Sequence, residues 1–140
     1  MRNPDKYIRK AIFDNLGGNA GFLLSGKTVK VYDSATPNNE DFLVILSTQS
    51  GSDAQRDKCS ISKDRTIVID CITRYKGNAG SRAMVDDIVE YVLEKLEELQ
   101  IANFKILNDS ISFPSDIVNK TSTESIFRKI INYSLTLKSL

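Results

Sequence analysis

An α+β fold, a mixed, largely antiparallel sheet with one long amphipathic helix and a short amino-terminal helix packed on it, is what this chain predicts, and three stretches carry the expectation. Residues 65–75 concentrate β-branched side chains at Thr66, Ile67, Val68, Ile69, Ile72 and Thr73, the composition of a pleated, buried surface. Residues 81–99 place Met84, Val85, Ile88, Val89, Val92, Leu93 and Leu96 at helical spacing, with Asp86, Asp87, Glu90, Glu94, Glu97 and Glu98 on the opposite side. Phe42, Leu43, Val44, Ile45 and Leu46 are apolar without alternation, which predicts a central strand covered on both faces.

The other elements follow in chain order. Asn3, Pro4 and Asp5 form a helix start, because Asn accepts from free amides, Pro is tolerated in the first turn and Asp suits the positive end of the helix dipole. Tyr7, Ile8, Ala11, Ile12 and Leu16 then recur at helical spacing until Gly17 and Gly18 stop the run. Residues 17–26 read as a loop, and Val29 and Val31 alternate in a first strand over 27–32. A turn is expected at 36–41. Residues 49–63 are polar and too long for a tight hairpin, so they are expected to be a projecting loop. The helix ending near Leu99 leads to a strand over 104–113, bent near Asn108 and Asp109 and ended by Pro114. Residues 115–123 read as a polar connection. Residues 125–137 fit helix or strand, and the alternation of Tyr133, Leu135 and Leu137 favours strand over 130–137.

Composition narrows the class of function. A chain of 140 residues is one domain by size, and a domain of ~150 residues buries about 68–70% of its unfolded surface. Apolar residues make up 41% and charged residues 26%, which argues against disorder. A net charge of +1 with both signs interleaved gives no whole-chain attraction for nucleic acid or an anionic membrane. No apolar run is long enough to cross a bilayer, and the polar start lacks a signal-peptide core, so the expected compartment is the inside of a cell. Cys59 and Cys71 match no common zinc spacing and are expected to stay reduced there. Glycosylation-like triplets at Asn108, Asn119 and Asn132 then read as chance.

Three constellations were candidates for chemistry. The stretch Gly77, Asn78, Ala79, Gly80, Ser81 and Arg82 lies between strand and helix, where phosphates meet free amides, but it has neither P-loop nor dinucleotide glycine spacing. It is expected to be a turn capped by Ser81. Asp53, Asp57, Asp64 and Asp70 are carboxylates without placed partners and are read as solvated charges rather than a magnesium site. Cys59 and Cys71 lack a base, because the chain has no histidine. No catalytic residue, cofactor or metal is therefore expected.

The segments Tyr7–Leu16, Val29–Asp33 with Pro37, Phe42–Leu46, Thr66–Asp70 and Asp87–Leu93, in this order, resemble the tail terminator, or tail-completion, proteins of long-tailed bacteriophages. The aromatic often found in that family's long strand is represented here by Tyr75. The resemblance implies a non-enzymatic virion protein, made in the host cytoplasm and located at the tail and neck. It implies self-association into a ring of six, contact with the tail tube protein and the neck or head-tail connector protein, no membrane, and DNA only passing through the lumen. The surface expected to meet neighbours comprises Gln49, Ser50, Gly51, Ser52, Asp53, Gln55, Arg56, Asp57 and Lys58 of the polar stretch, with Arg74 and Tyr75 at the end of the long strand. A neck or head-completion ring protein is the alternative within phage biology. A small ligand-binding or enzymatic domain is the alternative from another class, and it would need a concave pocket with convergent polar groups.

Overall fold

The computed structural model describes residues 3–34, 40–55 and 61–140. In chain order these form α1 (Asp5–Asn15), β1 (Phe22–Leu24), β2 (Lys27–Tyr32), β3 (Phe42–Gln55), β4 (Ile61–Lys76), α2 (Ala83–Glu97), β5 (Phe104–Lys120) and β6 (Glu124–Ser139). The strands make one six-stranded sheet in the order β1-β2-β3-β4-β6-β5. Among the described residues only β2 and β3 are paired in parallel, so the sheet is mixed and largely antiparallel. Helix α2 joins β4 to β5, and β6 returns between them.

The core lies between the helices and one face of the sheet. Ile8 and Ile12 from α1 and Val85, Ile88 and Val92 from α2 are sealed against Val44, Leu46, Ile67, Ile69, Ile131 and Tyr133. Each full burial of a Val, Leu or Ile side chain contributes roughly 1.5–3 kcal/mol, so this face dominates the stability of the domain. The acidic residues of α2 are exposed, as its sequence pattern requires. Leu43 and Val44 are both at 0% exposure although their side chains point to opposite faces, which is why β3 lacks alternation in its first half.

Local signals account for the helix starts. Asn3 Oδ1 accepts from the Asp5 amide at 3.1 Å, and Ser81 Oγ accepts from the Ala83 amide at 3.2 Å. Between β4 and α2 the turn closes on an aromatic ring: Gly80 lies so near Tyr75 that a Cβ would overlap the ring, and its φ of +86° disfavours other residues. Tyr75 itself stands edge-on to Phe42 and Phe127, with ring centroids 5.8 and 6.0 Å away.

Four expectations need correction. Residues 17–26 contain a 3-10 turn and the short strand β1, which buries Phe22 against Tyr91 at a centroid distance of 4.1 Å. Residues 49–55 and 61–63 are not a loop, because they continue β3 and β4 as a paired ladder from Gln49 opposite Ile67 to Gln55 opposite Ile61. Pro114 does not end β5: it falls in a register shift between Ser112 and Ser115, where the missing N–H removes no ladder bond. Residues 115–120 accordingly remain strand, opposite Ser125 to Ile130. The bend expected near Asn108 is present as a register shift between Ile106 and Asn108, and β6 is strand throughout. The turn expected at 36–41 falls largely outside the described residues.

Candidate assembly surface

Polar side chains at the far end of β3 and β4 form a connected network. Lys63 is 1% exposed and donates to Asp53 Oδ2 at 3.1 Å. Arg65 donates to Asp53 Oδ1 at 2.8 Å, to Asp5 Oδ1 at 2.7 Å and to the Ser52 carbonyl at 3.1 Å, tying the hairpin to the start of α1. Gly51 makes this possible, since a Cβ there would strike the Asp64 carbonyl and the Arg65 side chain. The hydrogen bond from Arg65, aided by Lys63, holds the Asp53 carboxyl below its usual range. Gln49 joins the same corner, donating to the Asp5 carbonyl at 3.2 Å and accepting from Arg9 at 3.0 Å.

The carboxylates singled out by the sequence do not converge. Asp53 is held as described, Asp64 accepts from Thr136 at 2.9 Å, and Asp57 lies outside the described residues. Asp70 is buried beneath Arg128, whose Nε lies 2.8 and 2.9 Å from its two oxygens and whose Nη2 closes a further contact. Reading these carboxylates as solvated charges is therefore wrong for Asp70, which the opposite strand covers with a cation. Among the described residues no group of three or more His, Cys, Asp or Glu is arranged to hold a metal ion. Cys71 is fully buried, and burial pushes its thiol upward, away from the nucleophilic thiolate. Cys59 lies outside the described residues, as do Arg56 and Lys58.

The residues expected to meet neighbours form two separate groups. Gln49 to Gln55 lie along the polar extension of β3, whereas Arg74 and Tyr75 stand at the other end of β4. From Lys63, opposite Asp53, to Arg74 is roughly 36 Å of strand at ~3.3 Å per residue. At the second end Arg74, Tyr75, Lys27 and Lys76 line a cleft with Asp41, Phe42, Thr123 and Glu124. The Arg74 amide donates to the Asp41 carbonyl at 2.7 Å, while its Nε is buried without a hydrogen-bond partner among the described residues.

A third surface escaped the sequence reading. Strand β5 forms one edge of the sheet, and its Leu107, Ile111, Phe113, Ile117 and Val118 are all at least 36% exposed. Single exposed apolar residues are ordinary, whereas these five lie along one strand whose outer edge no other described strand pairs. The signal was present in Pro114, a residue that a sheet tolerates at an edge or bulge.

Comparison with known proteins places this architecture. No family model matches the chain, and no curated protein matches it in sequence. Among solved structures it is similar to a chain from the virion of a native gene transfer agent (GTA) particle, at a TM-score of 0.59 and 15% identity. The match covers 97% of this chain and 99% of that one. The two chains share a fold over their whole length.

Proposed function

We propose that the protein is a structural component of a phage-like particle, one that forms a ring at the head-tail junction, caps the tail tube and joins it to the neck. The observation that carries this reading is the end-to-end fold likeness to a GTA virion chain. The resemblance of Tyr7–Leu16, Val29–Asp33 with Pro37, Phe42–Leu46, Thr66–Asp70 and Asp87–Leu93 to tail terminators supports that position within the particle. The exposed apolar side chains along the β5 edge are compatible with assembly. On this reading the partners are further copies of the chain in a ring of six, the tail tube protein and the neck connector.

Deletion of the gene followed by electron microscopy of the particles tests the reading. Heads and tails that fail to join, or tails of abnormal length, are expected, and a reconstruction of intact particles should show the chain as a ring between tube and neck. Density on the head side of the neck would assign it instead to a head-completion ring, and normal infectious particles without the gene would refute both.

A further inference from the structure

We propose that the cleft where β4 ends and β6 begins binds a carboxylate, with Arg74 as its principal donor and Lys27 and Lys76 as flanking charges. Arg74 differs from the other described arginines. Arg9 pairs with Asp33, Arg65 with Asp5 and Asp53, Arg82 with Asp116 and Arg128 with Asp70, whereas Arg74 forms no ion pair among the described residues. Its Nε is also buried without a hydrogen-bond partner there, a state that costs free energy until an acceptor arrives. The room for that acceptor lies beside it, in a cleft of about 420 Å³ that Arg74 lines.

The walls of the cleft are tied together before any ligand enters. The Arg74 amide donates to the Asp41 carbonyl at 2.7 Å, the Gly77 amide to the Thr123 carbonyl at 2.8 Å and Ser125 Oγ to the Gly77 carbonyl at 2.6 Å. Such preorganisation lowers the ordering cost of binding. Lys27, Arg74 and Lys76 share the lining with Asp41 and Glu124, an excess of one positive charge. None of the five closes an ion pair among the described residues, although Glu124 stands opposite Lys76 in the ladder. Lys27 Nζ lies instead 5.6 Å from the centroid of the Phe42 ring. A guanidinium takes a carboxylate or a phosphate through the same fork of donors, and the charge of the lining chooses between them. A carboxylate neutralises the excess, whereas a phosphate dianion adds a charge that Asp41 and Glu124 repel. Because Nε is shielded from water, the guanidinium turns toward the cleft on binding, and the turn gives Nε–H the acceptor it lacks.

Nuclear magnetic resonance of the isolated chain tests the site independently of any place in a particle. The Arg74 Nε–H signal is the one lost in Arg74→Lys. At neutral pH and constant ionic strength, sodium acetate should shift it to saturation, sodium chloride should leave it in place, and inorganic phosphate should bind several-fold more weakly than acetate. Lys76→Gln, at an exposed side chain, should weaken acetate binding several-fold, while Asp41→Asn and Glu124→Gln should strengthen it by removing a repelling charge. A peptide with one glutamate and blocked ends, set against its glutamine counterpart, separates the sources of the ligand: binding tighter than acetate assigns the site to a side chain of another protein, and binding no tighter assigns it to a free carboxylate. An acetate shift that chloride reproduces, acetate binding unchanged in both Arg74→Lys and Lys76→Gln, or phosphate binding tighter than acetate would overturn the proposal. So would weaker acetate binding in Asp41→Asn or Glu124→Gln, which would make these carboxylates supports of Arg74 rather than rivals of the ligand.

Discussion

Strands β5 and β6 are two arms of one hairpin, nearly equal in length and paired along most of it, yet they answer to different demands. On β6 the residues Phe127, Ile131, Tyr133, Leu135 and Leu137 are buried beneath the helices, whereas β5 buries only Phe104 and leaves its other large apolar side chains wholly or partly in solvent. Strand β6 is paired on both sides and β5 on one, but only coverage by a second layer turns apolar side chains into core. The exposed apolar residues of β5 therefore contribute little to the fold of the single chain.

The contrast is tested most severely by truncation. Ile131→Ala removes a side chain with no exposure and should cost about 2–5 kcal/mol in chemical denaturation, while Ile111→Ala on the facing arm should stay within about 1 kcal/mol. Equal losses would break the comparison. Next in size is Arg128→Ala, which strips the cation from Asp70, a carboxylate with 6% side-chain exposure. The cost should be on the order of 1–3 kcal/mol, reduced by the solvent that screens the half-exposed arginine. The corresponding change on β5, Asp116→Asn, should be nearly silent, because both members of its pair with Arg82 are exposed.

A smaller effect joins the two arms. Burial and the hydrogen bond to Asp109 raise the Tyr133 hydroxyl above its ordinary range, so Tyr133→Phe should lose about 0.5–1.5 kcal/mol. Its contribution is complete below the unfolded value near 10.0 and is lost as pH rises through the higher folded value, which urea titrations across alkaline pH would show. Asp53 behaves with the opposite sign. Its folded carboxyl titrates below the unfolded value of 3.8, so its contribution is present above that value and is lost as pH falls through the folded one. Asp53→Asn should flatten this part of the acid limb, by about 1 kcal/mol or less for a partly exposed pair. Glu94→Ala, on the solvent face of α2, should fall within about 0.5 kcal/mol of the parent and sets the floor for the series.

Much of this arrangement was legible before any coordinates. Helix α2 was readable because a continuous apolar stripe at helical spacing has few competing interpretations, and the first half of β3 because consecutive apolar residues demand cover on both faces. Residues 49–55 and 61–63 read as loop because polarity in a strand looks like polarity in a loop, and residues 56–60 of that stretch lie outside the described residues. The ladder there is held by backbone pairing with β4 and by the Lys63, Arg65 and Asp53 network, whose members are ordinary surface residues until the strands align them. Of the residues expected to meet neighbours, Gln49 to Gln55 and Arg74 with Tyr75 stand at opposite ends of the paired β3 and β4, a separation set by the strand register rather than by local sequence.

The sequence by itself determined the α+β class, the buried face of α2, the helix starts at Asn3 and Ser81 and the strand character of most β segments, because each depends on local periodicity or capping. Tertiary structure alone decided the strand order, the burial of Asp70 under Arg128 and the exposure of β5. Those depend on which strand receives a neighbour and which is left at the edge, and an apolar residue in an extended segment carries the same local preference in either place.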